Sequence, residues 1–154
     1  MSASPRAFEQ TDSGPQSAGD TATFSPRATI VATRDRPAPW LRSVRDKLEQ
    51  LLALPENWNS YGARPVSHDA AARANEFAAY LSYVVGVVEP AVGATPDGDV
   101  GFCWDAGTWS LDVSIDGTGL ISYVYLDEEN HGNDRDTCTR DIAQLIPLLT
   151  QWSS

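Results

Sequence analysis

From residue 40 onward the apolar positions follow a pattern whose period changes from helical to strand-like. Between Trp40 and Leu54 they stand at Leu41, Val44, Leu48, Leu51 and Leu52, with Arg42, Arg45, Asp46 and Glu49 on the other faces. Steps of three and four place one stripe on a helix. Pro55 ends it, because proline disfavours helical backbone in the residue before it. A second helix is predicted from about Ser67, a good N-cap, with Asp69 in the first turn where the helix dipole favours an anion. Its stripe is Ala74, Phe77, Ala78, Leu81, Val84 and Val85, and Gly86 is a plausible C-terminal cap.

After a second long loop at 89–98 the period falls to two. Val100, Phe102 and Trp104 alternate with Gly101, Cys103 and Asp105; Trp109, Leu111, Val113 and Ile115 alternate with Ser110, Asp112, Ser114 and Asp116. Beyond Asp116-Gly117, a hairpin dipeptide, a strand at 120–126 turns Tyr123 and Tyr125 one way and Val124 the other. A three-stranded antiparallel β-meander is predicted, with one face in water because the second strand is apolar on one side only. The polar turn 127–134 then leads to a last helix at about 136–152. Its stripe is Cys138, Ile142, Leu145, Leu149 and Trp152, with a kink at Pro147. The fold class is α+β: the meander packed against two or three helices. Residues 1–37, rich in Ser, Thr, Ala, Gly and Pro, read as a disordered tail ahead of a single domain at 38–154, although 28–33 has strand composition.

The segment between the two predicted helices is Leu54-Pro55-Glu56-Asn57-Trp58-Asn59-Ser60-Tyr61-Gly62-Ala63-Arg64-Pro65. A solvated linker has no use for a Trp and a Tyr three residues apart. In one reading both aromatics plug the gap between helices and sheet, Asn57, Asn59 and Ser60 satisfy backbone groups, and Gly62 supplies a positive φ. In the other the aromatics are exposed anchors of a recognition loop. The candidate binding residues are Asn57, Trp58, Asn59, Ser60, Tyr61 and Arg64, joined by Trp104 and Asp105 at the end of the first predicted strand. Trp104 and Trp109 flank a hairpin turn and are placed to stack across strands.

Charge narrows the partners. The net charge is −10, but residues 1–45 hold six Arg against four acids, while 46–154 hold five basic residues against seventeen acids. An anionic domain repels phosphate backbones, so direct nucleic-acid binding is not expected. A basic protein surface is the better electrostatic match, although the charge also serves plain solubility. Cys103 and Cys138 belong to no C-x-x-C, and Cys103 reads as a small buried hydrophobe. Residues 1–6 have no apolar core of signal-peptide length and no apolar run is long enough to span a bilayer, so a cytoplasmic, non-membrane protein with reduced thiols is expected.

Motifs for chemistry are missing. Asp127, Glu128, Glu129, His131, Asp134 and Asp136 do not fit a calcium loop, whose fifth and twelfth positions here are His131 and Cys138; they read as a solvated turn. No nucleophile elbow or phosphate-cradling glycine motif occurs. Asp97/Asp99 and Asp105/Asp112 lie at turns or on the wet sheet face. No cofactor, metal or catalytic residue is expected; a small hydrolase would need Asn59, His68 and Asp105 to converge.

The 54–65 string, the Ala-rich helix after it, Thr95-Pro96-Asp97-Gly98 and a strand ending in Trp104 together resemble a widespread, functionally uncharacterised family of small bacterial and phage-borne proteins. In that family the loop reads like LPENWDSYGA, and a PTPDGG-like stretch precedes an apolar strand with an acidic residue beside Trp. The resemblance covers about residues 45–126 and implies a fold, not an activity. Asn59 and Cys103 stand where the family commonly has acids, so no role resting on those carboxylates carries over. The expected function is a non-enzymatic, regulatory or antitoxin-like module that binds a protein partner. The alternatives are an acidic inhibitor that imitates nucleic acid on a host or phage enzyme, and a small hydrolase.

Overall fold

The computed structural model describes residues 31–153. Helix α1 is Trp40–Leu52 and α2 is His68–Ser82. The strands are β1 (Ala91–Ala94), β2 (Val100–Asp105), β3 (Trp109–Ile115), β4 (Ile121–Asp127) and β5 (Arg135–Thr139), and a one-turn helix α3 follows at Ile146–Leu149. Sheet order equals chain order and every pairing is antiparallel.

Two layers result. The inner sheet face carries Val100, Phe102, Trp104, Leu111, Val113 and Tyr125, all buried, and α2 lays Phe77 on them. The Phe77 ring centroid stands 5.1 Å from that of Phe102 and 6.5 Å from that of Trp104. Leu41, Val44 and Leu48 of α1 and Leu145, Ile146 and Leu149 near the C-terminus complete the core. The other sheet face has no helix over it among the described residues, and Asp105, Asp112, Ser122 and Asp136 are exposed there.

The antiparallel sheet has five strands, not three. β1 comes out of the predicted loop 89–98. Its sequence Ala-Val-Gly-Ala has no alternation to betray it, and pairing with β2 makes it a strand. β5 takes the start of the predicted last helix. Four of its five residues are exposed, as on an edge strand, so no inward face marks the sequence. The helix expected at 136–152 therefore shrinks to α3 between two 3₁₀ turns at Ile142–Gln144 and Thr150–Ser153. Pro147 sits in the first turn of α3, where its missing N–H is not needed. Cys138, read as part of a buried stripe, is exposed.

Ser67 does cap α2, accepting from the Ala70 N–H at 3.0 Å. The helix ends at Ser82 instead of running to Val85: Val84 is buried beyond it and Val85 faces water. Asp116-Gly117 is not a two-residue hairpin. Ile115 pairs with Ile121, Asp116 Oδ1 accepts from the Thr118 and Leu120 amides, and Gly119 takes the positive φ. Trp104 and Trp109 do not stack together; Trp104 meets Phe102 and Trp109 meets Tyr125. Residues 1–30 of the expected tail lie outside the described residues. Thr33 bridges Val84, and the Arg34 and Ala38 amides donate to Tyr83 and Ser82, so the compact unit begins at Thr33.

Candidate functional site

The loop between α1 and α2 is held by its own side chains. Five successive amides, from Ser60 to Arg64, each have a partner. The Ser60 N–H donates to the Asn57 carbonyl (3.0 Å), and the Gly62 N–H to Asn57 Oδ1 (2.6 Å). The Tyr61 and Ala63 N–H groups donate to Asn59 Oδ1 at 2.9 and 3.2 Å. The Arg64 N–H donates to the Pro96 carbonyl (2.9 Å), tying the loop to the β1–β2 turn. The Asn57 amide closes the loop on the Ala63 carbonyl at 2.7 Å. Both Asn side chains act here as the short polar groups that organise turns.

This network supports unusual backbone. Asn57 (φ 60°) and Ser60 (φ 66°) are the non-glycine residues at positive φ among those described, and Gly62 (φ 84°) joins them within one loop. A non-glycine residue persists there only when its surroundings over-determine it. Asn59 serves through one acceptor oxygen. An amide oxygen supplies that acceptor as well as a carboxylate would, so the loop needs no charge at Asn59.

The two aromatics part company. Trp58 is half-buried, and its indole N–H donates to the Arg64 carbonyl at 2.9 Å. Tyr61, which the plugging reading sends inward with Trp58, is 91% exposed. Between them the chain folds back, the Asn57 N–H reaching the Ala63 carbonyl and the Trp58 N–H the Arg64 carbonyl. Trp58 is therefore tied into the loop, and Tyr61 stands in water.

The other candidates are dispersed. Arg64 is exposed, and its backbone anchors the loop. Trp104 is 2% exposed and donates to the Val88 carbonyl (2.9 Å), out of reach of any partner. Asp105 is exposed, and its Oδ1 accepts from the Gly107 N–H in the β2–β3 turn (2.9 Å). The hydrolase set does not assemble. His68 starts α2 beside Gly98, because the Ser67 N–H donates to the Gly98 carbonyl, whereas Asp105 lies at the far end of β2, about 16 Å from the strand's start at Val100. Asn59 Oδ1 is already taken by two amides.

The shifted carboxylates have local causes. Burial is the largest cause pushing the Asp99 carboxyl up, with Asp116 and Asp97 adding to it. The Thr118 hydroxyl holds Asp116 below the usual carboxylate range. The Asn133 side chain does the same for Asp127, whose oxygens also accept from the Glu129 and Asn130 amides. Asp127 and Asp134 thus bond within that turn, and no group of three metal-ligating side chains occurs among the described residues. Sequence reading missed Cys103. It is not a core residue; it is half-buried on the open sheet face, where burial and a hydrogen bond to Asp112 raise its thiol to about 11. The alternation Phe102-Cys103-Trp104 already set it opposite the aromatics.

No helix among the described residues is long and apolar enough to cross a membrane. The chain matches no protein-family model, no curated protein and no solved structure.

Proposed function

We propose that this chain is a non-enzymatic interaction module that holds a protein partner through the loop 54–65, with Tyr61 as its anchor. The observation that supports this reading is a 91% exposed Tyr within five successive hydrogen-bonded amides, Ser60 to Arg64. Ordering a free side chain on binding costs about 0.5–1.5 kcal/mol, and a loop already ordered saves much of that for its backbone. Tyr supplies a large contact area with two torsions to fix. The net −12 of residues 46–154 favours a partner with a basic surface. A regulatory or antitoxin-like role inside a bacterial cell fits this module.

The two aromatics test the reading. Tyr61→Ala is expected to leave the unfolding free energy within about 0.5 kcal/mol of wild type. It is also expected to weaken the complex captured from the native cell by about 2 kcal/mol, roughly thirtyfold in affinity. Trp58→Ala loses a hydrogen bond and half-buried ring area, and is expected to cost about 1–3 kcal/mol of stability. Chemical denaturation and a quantitative pull-down read both. A Tyr61→Ala variant that keeps the partner, or that unfolds, contradicts the reading.

A further inference from the structure

The open sheet face carries a trough of about 520 Å³. Pairing register explains its depth. Gly93, Gly101, Ser114 and Ser122 lie side by side across four strands, a row with two side chains missing and two short. A Cβ placed on Gly93 meets nothing within 4 Å, so the space above it is open. The adjoining row runs Ala91, Cys103, Asp112, Val124 and Asp136.

The trough's charge selects its occupant. Asp112 and Asp136 line it, no Lys, Arg or His does, and neither carboxylate has an ion-pair partner among the described residues. The two stand on β3 and β5, two strand spacings or about 10 Å apart. That is too far to share one metal ion, which needs oxygens at about 2.0–2.6 Å. It suits long cationic side chains, whose carbon stems lie along apolar surface while their heads reach a carboxylate. The glycine row leaves room for a backbone to approach the sheet closely.

We propose that this trough binds an extended basic polypeptide segment, seating Arg or Lys side chains at Asp112 and Asp136 and small apolar residues over Gly93 and Gly101. The proposal stands on a different surface from the Tyr61 loop and does not rest on it. Burial, and then the Asp112 carboxylate beside it, push the Cys103 thiol in the trough up to about 11.

The test is fluorescence anisotropy of the full chain with a labelled octapeptide of repeated Arg-Arg-Ala-Ala, which presents both Arg and Ala on each face of an extended chain. The wild type is expected to bind it, to reject the same peptide with Glu in place of Arg, and to lose affinity as salt rises. Gly93→Val fills the trough where no atom stands in the way, and Asp112→Asn with Asp136→Asn removes its charge. Each is expected to weaken binding by about tenfold or more with the melting transition retained, while Tyr61→Ala binds like wild type. The proposal is overturned if the wild type ignores the Arg peptide, or if wild type and both trough variants bind it equally, which is attraction to net charge alone.

Discussion

Trp104→Ala is expected to lower the unfolding free energy by about 3–5 kcal/mol, the range for truncating a large buried aromatic. Trp104 is the largest fully buried side chain among the described residues, and three separate contacts end with it. Its ring lies 6.2 Å from Phe102 and 6.5 Å from Phe77, centroid to centroid, so it joins β2 to α2. Its N–H satisfies the Val88 carbonyl in the segment between α2 and β1. Truncation leaves a cavity under the helix and an unpaired carbonyl beside it, and the two costs add. Urea denaturation checks this through the shift in midpoint at constant slope. A loss under about 1 kcal/mol would mean that α2 does not depend on this ring.

Gly98→Ala is expected to cost about 2–4 kcal/mol, a large effect for one added methyl. Gly98 has φ +88°, which an L side chain rarely adopts, and the new Cβ would stand 2.8 Å from the Pro65 carbonyl oxygen. That oxygen is backbone and cannot swing away. The site is also a junction, since the Gly98 carbonyl accepts from the Ser67 N–H and its own N–H donates to Thr95. Displacing it disturbs the N-cap of α2 and the base of the 54–65 loop together. Gly62→Ala is the control. Its φ is +84°, but the added Cβ meets nothing within 4 Å, so about 1 kcal/mol of backbone strain is expected alone. The difference between the two variants measures the clash.

What was legible in the chain was whatever repeats against one buried surface. α1, α2 and strands β2 to β4 each present an apolar face to the same core, and their periods showed it. β1 and β5 are edges with little to bury, so their identity lies in hydrogen bonds to a neighbour that no pattern records. The last predicted helix failed for the opposite reason: Cys138 and Ile142 sit at helical spacing by chance, and the chain between them turns a corner. Within the loop, composition disclosed that Asn57 and Asn59 would serve the backbone and that Gly62 would take positive φ. It could not separate Trp58 from Tyr61. The folded loop, with Asn57 and Ser60 at positive φ, leaves Trp58 half-buried and Tyr61 in water.

The central claim is that a stiff, self-bonded loop presents Tyr61. Amide hydrogen exchange followed by NMR at residues 60–64 tests it most directly. The account predicts exchange slowed by about a hundredfold or more relative to a free peptide at all five positions, in line with a local opening free energy of roughly 3 kcal/mol. In Asn59→Ala the protection should fall first at Tyr61 and Ala63, the two amides that Asn59 Oδ1 accepts from. Exchange at free-peptide rates across the wild-type loop would contradict it.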